Sequence, residues 1–380
     1  MTRPWVATLA VPAFILSSPG CGTMVTNASL AHGSDDLPLV AFGLSTLDPR
    51  TTPPTAEEVL RVAHCEDPTC ATFSQNVIDP RGGWDIALAI GADGRGLISY
   101  TGDGHQLLIA HCADVACTRA ATHSLGDAAF PSDTSLAIGA DGLGLLSYRH
   151  STSGSLRVAH CEDTACTRAS LTEVEAGGFK ETTNSLVIGA DGLGLIAYAA
   201  ASSDGSRRLR IAHCADAPCG SASLRTLAEG YGIRFAPAAV IGTDGLALVP
   251  FTQSKEGLLR VAHCLDVECA RFGLSTVGSA GEYSGFTSVV IGSDGLALIS
   301  YAGPFYDELH VAHCADIACT SIDSTATLDR GSAMRRTSLA LGRDGLARIA
   351  YGIGGSARLA RCLDVRCTRA EVTTYDRTPD

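Results

Sequence analysis

The sequence holds none of the short signatures that announce a chemistry by themselves. It has no Gly-x-Ser-x-Gly nucleophile elbow, no His-Glu-x-x-His, no phosphate-binding P-loop and no EF-hand spacing. A catalytic, nucleotide-binding or calcium-sensor reading therefore has no motif to stand on, and no cofactor is expected. Positive charge is also short: 28 Lys and Arg face 40 Asp and Glu, a net of −12, which argues against nucleic acid and anionic membrane surfaces as partners. A membrane-spanning run is absent too. The apolar stretch "PWVATLAVPAFIL" after Arg3 is too short to cross a bilayer, and with the following "SSPGC" it has the layout of a secretory signal over residues 1–20.

What the chain does have is repetition, and cysteine carries it. Seven pairs recur with four residues between partners: Cys65/Cys70, Cys112/Cys117, Cys161/Cys166, Cys214/Cys219, Cys264/Cys269, Cys314/Cys319 and Cys362/Cys367. They account for all cysteines but Cys21. A second phrase alternates with the first: "ALAIGADGRGLISY" from Ala87, "SLAIGADGLGLLSY" from Ser135, "SLVIGADGLGLIAY" from Ser185, "AAVIGTDGLALVPF" from Ala238, "SVVIGSDGLALISY" from Ser288 and "SLALGRDGLARIAY" from Ser338. A degenerate copy, "SLAHGSDDLPLVAF" from Ser29, carries Asp36 where the others have the turn glycine. Seven repeats of roughly 43 to 58 residues thus fill residues 29–380.

Each repeat reads as four short strands, A to D. An apolar run, an Asp-Gly turn and a second apolar run make one hairpin. "LRVAHC" and "CTRASLTEV", joined by four residues, make another. Strands A and B are apolar at nearly every position, so both faces of the sheet must be covered, and neighbouring copies have to supply the cover. The expected fold is all-β: a seven-bladed β-propeller with four antiparallel strands per blade, one C–D hairpin disulfide per blade, and blades starting near residues 29, 87, 135, 185, 238, 288 and 338. The A–B phrase resembles the first half of NHL-type propeller repeats. With its Ala-His-Cys and Asp-x-x-Cys elements, the whole phrase is similar to repeats of secreted and lipoprotein-like bacterial propellers whose role is unknown. The resemblance covers residues 29–380 and implies an architecture, not an activity.

The Cys pairs could be written for zinc, for redox work or for a staple. A short hairpin loop brings its flanking Cα atoms to about 5.5 Å, inside the disulfide window. Zinc would need four ligands converging on one point, yet equivalent cysteines fall on separate sheets roughly 10 Å apart, and His160 points to the opposite face of its strand from Cys161. The seventh repeat also has Arg361 in the histidine position and keeps both cysteines. Each pair is therefore read as a staple between strands C and D, and no metal is expected. His64, His111, His160, His213, His263 and His313 are read as hydrogen-bonded groups at blade interfaces. The recurring Asp residues of the A–B turn (Asp93, Asp141 and their equivalents) and of the C–D loop (Asp67, Asp114 and theirs) are read as turn formers, with calcium binding as the alternative.

Binding is expected on the face where the repeats differ. A–B turns and C–D loops are uniform, whereas B–C and D–A connections vary in length and chemistry, as in "AASSDGSRR", "AGPFYDE", "GDAAFPSD" and "EGYGIRFAP". Variable loops on a rigid scaffold are the usual place for recognition. The candidates there are Trp84, Phe130, Phe179, Tyr231, Phe235, Tyr283, Phe286 and Tyr306, with Arg149 and Arg335, and alongside them Phe305, Lys180, Arg234, Asp307 and Arg336. Each aromatic has a competing reading as a plug for a D–A crossing. Two functions stay open. One is a surface-displayed propeller that binds a glycan or protein ligand. The other is an extracellular hydrolase or lyase with carboxylates at the funnel mouth, for which Asp85, Asp133, Glu181, Glu282 and Asp307 are scattered candidates.

Seven disulfides require an oxidising compartment. The odd cysteine, Cys21, with Gly20 before it and "GTMVTNA" over residues 22–28 as a spacer, resembles a lipoprotein acylation site, although Ser18 stands where a lipobox carries Leu and Pro19 is atypical. Simple secretion is the alternative, but it would leave a free thiol beside seven staples, open to disulfide exchange. The mature protein is expected to begin at lipid-bearing Cys21, and Cys21→Ser to move it from the detergent phase to the soluble fraction. Mass spectrometry of the native amino terminus checks this: an unmodified end downstream of residue 21 means free secretion.

Overall fold

A computed structural model describes residues 23–48, 55–126, 131–177, 183–201, 206–231, 237–253, 256–281, 285–332, 334, 336–353 and 355–375. The signal segment, Cys21, Phe130, Phe179, Lys180, Glu181, Arg234, Phe235, Glu282, Tyr283 and Arg335 lie outside the described residues. The chain folds into seven sheets, each of four consecutive antiparallel strands. Strands A to D of blade 1 are Thr23–His32, Pro38–Asp48, Thr55–Cys65 and Phe73–Asp79. Those of blade 3 are Pro131–Ile138, Gly144–His150, Ser155–Cys161 and Ala169–Glu175, and those of blade 7 are Thr337–Leu341, Ala347–Ile353, Ser356–Cys362 and Ala370–Thr374. Among the described residues no strand completes a foreign sheet, so the ring closes by face packing.

Strand B forms the heart of each blade. Every residue of Gly96–Gly102, Ala247–Gln253, Ala297–Ala302 and Ala347–Ile353 is buried. Among the described residues the apolar cores are seven, and each belongs to a joint between blades. Leu97, Leu107 and Ile109 of blade 2, for example, pack with Leu146, Tyr148, Cys161 and Cys166 of blade 3. Each fully buried aliphatic side chain contributes about 1.5–3 kcal/mol, and only a neighbouring blade supplies that burial.

All seven cysteine pairs are joined, with Cα atoms 4.8–5.0 Å apart. The pairing agrees with the sequence, one disulfide within the C–D hairpin of each blade, and the structure adds where in the hairpin the second cysteine stands. The first cysteine does end strand C, as Cys161 does opposite Ala169. The second cysteines, Cys70, Cys117, Cys166, Cys219, Cys269, Cys319 and Cys367, are not strand D residues. Strand D starts three positions later in every blade, at Phe73, Ala120, Ala169, Ala222, Phe272, Ile322 and Ala370. The reason lies in the loop. The N–H of each second cysteine donates to the carbonyl of the loop aspartate three residues before it, from Asp67 for Cys70 to Asp364 for Cys367, at 3.0–3.1 Å. That tight turn leaves all seven in the left-handed region, at φ between +51° and +59°. The staple therefore ties strand C to its own loop, and the left-handed residue turns the sulfur inward. Both cysteines of every pair are wholly buried in the joint. Gly144 opens strand B of blade 3 because a Cβ there would lie 2.8 Å from Cys161 Sγ and 2.9 Å from Leu97 of the previous blade.

Strand A departs from the reading more clearly. It begins at Thr23, Gly82, Pro131 and Gly285 in blades 1, 2, 3 and 6, ahead of the repeated phrase, so most of the segment read as a spacer is strand. Bulges break the register ahead of Ala87, Ser135 and Ser288, where Asp85, Asp133 and Phe286 take φ of +51°, +54° and +52°.

The joint between blades 7 and 1 is built differently from the others. In blades 2 to 6 the residue after the opening small residue of strand B is Leu (Leu97, Leu145, Leu195, Leu248, Leu298), whereas blade 7 has Arg348. Arg348 is 2% exposed, pairs with Asp344 at 3.1 Å and donates to Pro68 O of blade 1 at 2.9 Å. Arg343 replaces the small residue of the A–B turn and forms an ion pair with Asp36, which keeps the turn at φ +67° without glycine. Tyr375 closes the seam, edge-on to Phe73 at 4.7 Å and stacked on Phe42 at 6.5 Å, with its hydroxyl 3.2 Å from Cys70 Sγ. Tyr375→Ala should cost about 3–5 kcal/mol, the scale of an emptied aromatic core site. Urea unfolding of the variant checks it, and a cost under about 1 kcal/mol would show that the seam does not limit stability.

Candidate functional site

Strand A lines the axis of the ring, and its inner edge would leave backbone N–H groups unpaired toward the channel. Serine deals with this. Ser338 Oγ accepts from Leu30 N–H, Ser29 from Leu88, Ser135 from Leu186, Ser185 from Ala239 and Ser288 from Leu339, at 2.9–3.0 Å. Each bond crosses from one blade to the next, so the first residue of the repeated phrase is a girdle around the axis. A channel of about 180 Å³ runs inside it, lined by Asn27, Ser29, Thr134, Asn184, Thr287 and Arg336 among others.

The mouth of this channel on the variable face carries a charge cluster. Two positions ahead of the repeated phrase stand Asn27, Asp85, Asp133, Thr183, Phe286 and Arg336, with bulges at Asp85, Asp133 and Phe286. Arg336 of blade 7 reaches across the opening to form an ion pair with Asp133 of blade 3, and its guanidinium lies 3.6 Å from Asp85 of blade 2. The three side chains keep 19–28% of their surface, deep among protein atoms yet touched by solvent. Burial raises the pKa of Asp85, opposed by the charges of Arg336 and Arg149. Burial lowers that of Arg336, opposed by Asp85. The carbonyls behind the cluster are held as well: Thr134 and Asn184 donate to Asp85 O and Asp133 O of the preceding blades, and Ser147 Oγ donates to Asn184 Oδ1 at 2.6 Å. Left-handed Asp residues and half-buried charges are costly features that folding alone does not require, and they converge here.

Of the aromatic candidates, Trp84 tilts against His105 at 6.4 Å on strand A of blade 2. Phe286 packs against Tyr306 at 5.4 Å, and both touch the core between blades 6 and 7. That is the plug role for these two, although Phe286 also borders the channel. Phe305 is 67% exposed beside them. Tyr231 ends strand D of blade 4. Arg149 donates to Ser132 Oγ at 3.1 Å while its charge acts on Asp85. Asp307 ends the Pro304–Tyr306 turn, away from the Arg336 cluster.

The opposite face is built for stability. Each histidine before the first cysteine meets the A–B turn Asp of its own blade: His64–Asp35, His111–Asp93, His160–Asp141, His213–Asp191, His263–Asp244 and His313–Asp294, at 2.7–2.9 Å. The sequence reading sets these histidines at blade interfaces; they lock the two hairpins of one blade instead. In blade 7, Arg361 and Arg348 take over the task on Asp344. One Asp oxygen caps the turn and the other holds the histidine, as in Asp141, which accepts from Leu143 N–H at 3.0 Å.

No family model matches the chain, and no curated protein matches it either. Solved structures do. The chain is similar to a polysaccharide lyase, an ulvan lyase bound to -[GlcA(1-4)Rha3S]-, at TM-score 0.64 and 10% identity over 93% of this chain and 96% of that one. It is similar to a puromycin hydrolase at TM-score 0.59 and 13% identity, over 93% of this chain and 54% of that one. The periplasmic gluconolactonase of Pseudomonas aeruginosa matches at TM-score 0.50 and 14% identity, over 80% and 84%. These likenesses are of fold.

Burial would raise the pKa of Asp141, but Leu143 N–H and His160 outweigh it and hold the carboxyl below the ordinary aspartate value. Asp344 is depressed in the same way by Arg348, Leu346 N–H and Arg361. A depressed carboxyl stabilises the fold above its unfolded value and stops doing so as pH falls through its folded value. Thermal stability should therefore drop as pH is lowered below about 3.9, the unfolded aspartate value, and Asp141→Asn should make the drop shallower. An unchanged pH profile in that variant would remove the clasp from the account.

Proposed function

We propose that this protein is an extracytoplasmic binding propeller, held at the cell envelope through Cys21, whose ligand is a saccharide docking at the channel mouth on the variable face. The observation that carries the reading is Arg336 laid across the opening between Asp85 and Asp133. Planar guanidinium and carboxylate groups form paired, charge-assisted hydrogen bonds that suit the vicinal hydroxyls of a sugar ring. The hydroxyl and amide groups of Asn27, Thr134 and Thr183 continue the polar lining inward. Phe286 also borders the channel and provides an apolar face of the kind a pyranose stacks on. Seven disulfides are consistent with a place outside the cytoplasm.

A second reading, an extracellular hydrolase or lyase, draws on Asp85. Its raised pKa beside a second carboxylate is the composition of an acid/base pair, in which environment pushes two like groups apart. The named neighbours include a lyase, a hydrolase and a lactonase, so the fold accommodates either class. In the present arrangement, however, both carboxylates are engaged by Arg336, which favours recognition.

A glycan array probed with protein starting at Gly22 tests the proposal. At least one saccharide should bind, with loss of about tenfold or more in Arg336→Ala, the scale of a removed charge-assisted contact. Consumption of the bound glycan by the wild type but not by Asp85→Asn would establish the enzyme reading. Binding of no saccharide, or binding indifferent to Arg336, would overturn the site.

A further inference from the structure

A second cavity lies far from the channel, in the joint between blades 5 and 6, and the repeats themselves explain it. At several joints the strand B tyrosine donates its hydroxyl to a strand D carboxylate of the preceding blade. Tyr100 bonds Asp79 at 2.8 Å and Tyr351 bonds Asp329 at 2.7 Å, with Arg358 completing the latter. Tyr198, Glu175 and Arg210 make the same set. The carboxylate stands at one fixed place in the ladder, opposite Leu60, Leu156 and Leu309. In the joint between blades 4 and 5 both members are gone, since Phe251 replaces the tyrosine and Ala228 the acid. Between blades 5 and 6 only the acid is gone: Tyr301 remains, and opposite Leu259 stands Gly278.

The missing side chain leaves a cavity of about 320 Å³. A Cβ built on Gly278 meets nothing within 4 Å. Tyr301 is 4% exposed and its ring stacks on His310 at 5.3 Å, yet among the described residues its hydroxyl has no hydrogen-bond partner, unlike Tyr100 and Tyr351. Burial holds its pKa at about 12, so it stays a donor. His310 occupies the place of Arg210 and Arg358. Burial lowers its pKa, opposed by the charge of Asp307, and its ring nitrogens are engaged by Glu308 at 2.7 Å and Thr327 at 3.1 Å. The Glu308 charge is met by Arg330. The remaining wall is divided between the hydroxyls of Ser279 and Thr325 and the aliphatic surfaces of Leu259, Val277 and Ile322.

We propose that this cavity binds a short-chain aliphatic carboxylic acid, whose carboxyl group takes the place of the absent strand D carboxylate on Tyr301 and whose alkyl chain lies on Val277 and Ile322. The site is separate from the channel mouth, and its test does not depend on the saccharide reading.

Propionate is the probe. Ligand-observed NMR on the folded chain should show binding with a dissociation constant on the order of 1 mM, as expected of so small a ligand. Tyr301→Phe should weaken it about tenfold or more. Gly278→Asp restores the pattern of the other joints, so it should abolish propionate binding and raise the melting temperature. Failure of the wild type to bind, or binding equal to wild type in either variant, would overturn the proposal. The Tyr301→Phe arm stands alone should Gly278→Asp fold poorly.

Discussion

A four-stranded sheet that is apolar on both faces cannot cover itself, and everything else in this protein follows from that constraint. Strand B is buried along its length, and the disulfide that ties strand C to its loop lies in the same joint, against a leucine delivered by the preceding blade. The unit of stability is thus the contact between two blades, not the blade. A six-residue disulfide ring contributes only about 2 kcal/mol by restricting the unfolded chain. Its larger role here is as packing, since it fills the space that Gly144 leaves open.

A ring of such joints must still close, and the closing joint brings together repeats from the two ends of the chain. This joint is keyed. Arg348 stands in place of leucine, Arg343 in place of a small residue, Asp36 in place of glycine, and Tyr375 brings a hydroxyl to a joint whose own strand B aromatic is Phe42. The Arg343–Asp36 pair, which no other A–B turn repeats, discourages the last blade from packing on any other. The departures of the first and last repeats from the common phrase are therefore complementary to each other.

Local patterns in the sequence made the blades, the Asp-Gly hairpins and the cysteine pairing legible, because each depends on neighbours in the chain. The place of the second cysteine was less legible: Cys117 or Cys219 reads as the start of a β-rich run, and only the bond back to Asp114 or Asp216 keeps it in the loop. The early start of strand A was hidden because Asp85, Asp133 and Phe286 hold left-handed conformations without the glycine that usually marks them. A weak signal was there, in the polar residues recurring two positions ahead of the phrase at Asn27, Asp85, Asp133 and Arg336. Their meeting across the mouth joins residues some two hundred positions apart, which no local pattern encodes. The clasp between His160 and Asp141 was visible as two separate recurring sets. The replacement of histidine by Arg361 in the same repeat that gains Arg348 was the trace of their shared task. The aromatics misled in part, since Phe286 and Tyr306 serve the core as much as the surface.

The polarity of strand A has a last consequence. In every blade it runs from the variable face toward the Asp-centred turns, and in blade 1 it starts at Thr23, beside a B–C hairpin whose strands run on to Asp48 and from Thr55. The polypeptide therefore enters the ring at the rim of the channel mouth. The face that bears the Arg336 cluster is thus also the face from which the first strand sets out, while the histidine clasps lie on the other. Each face of the disc has its own trade: one gathers residues from distant repeats, and the other repeats a single local bond.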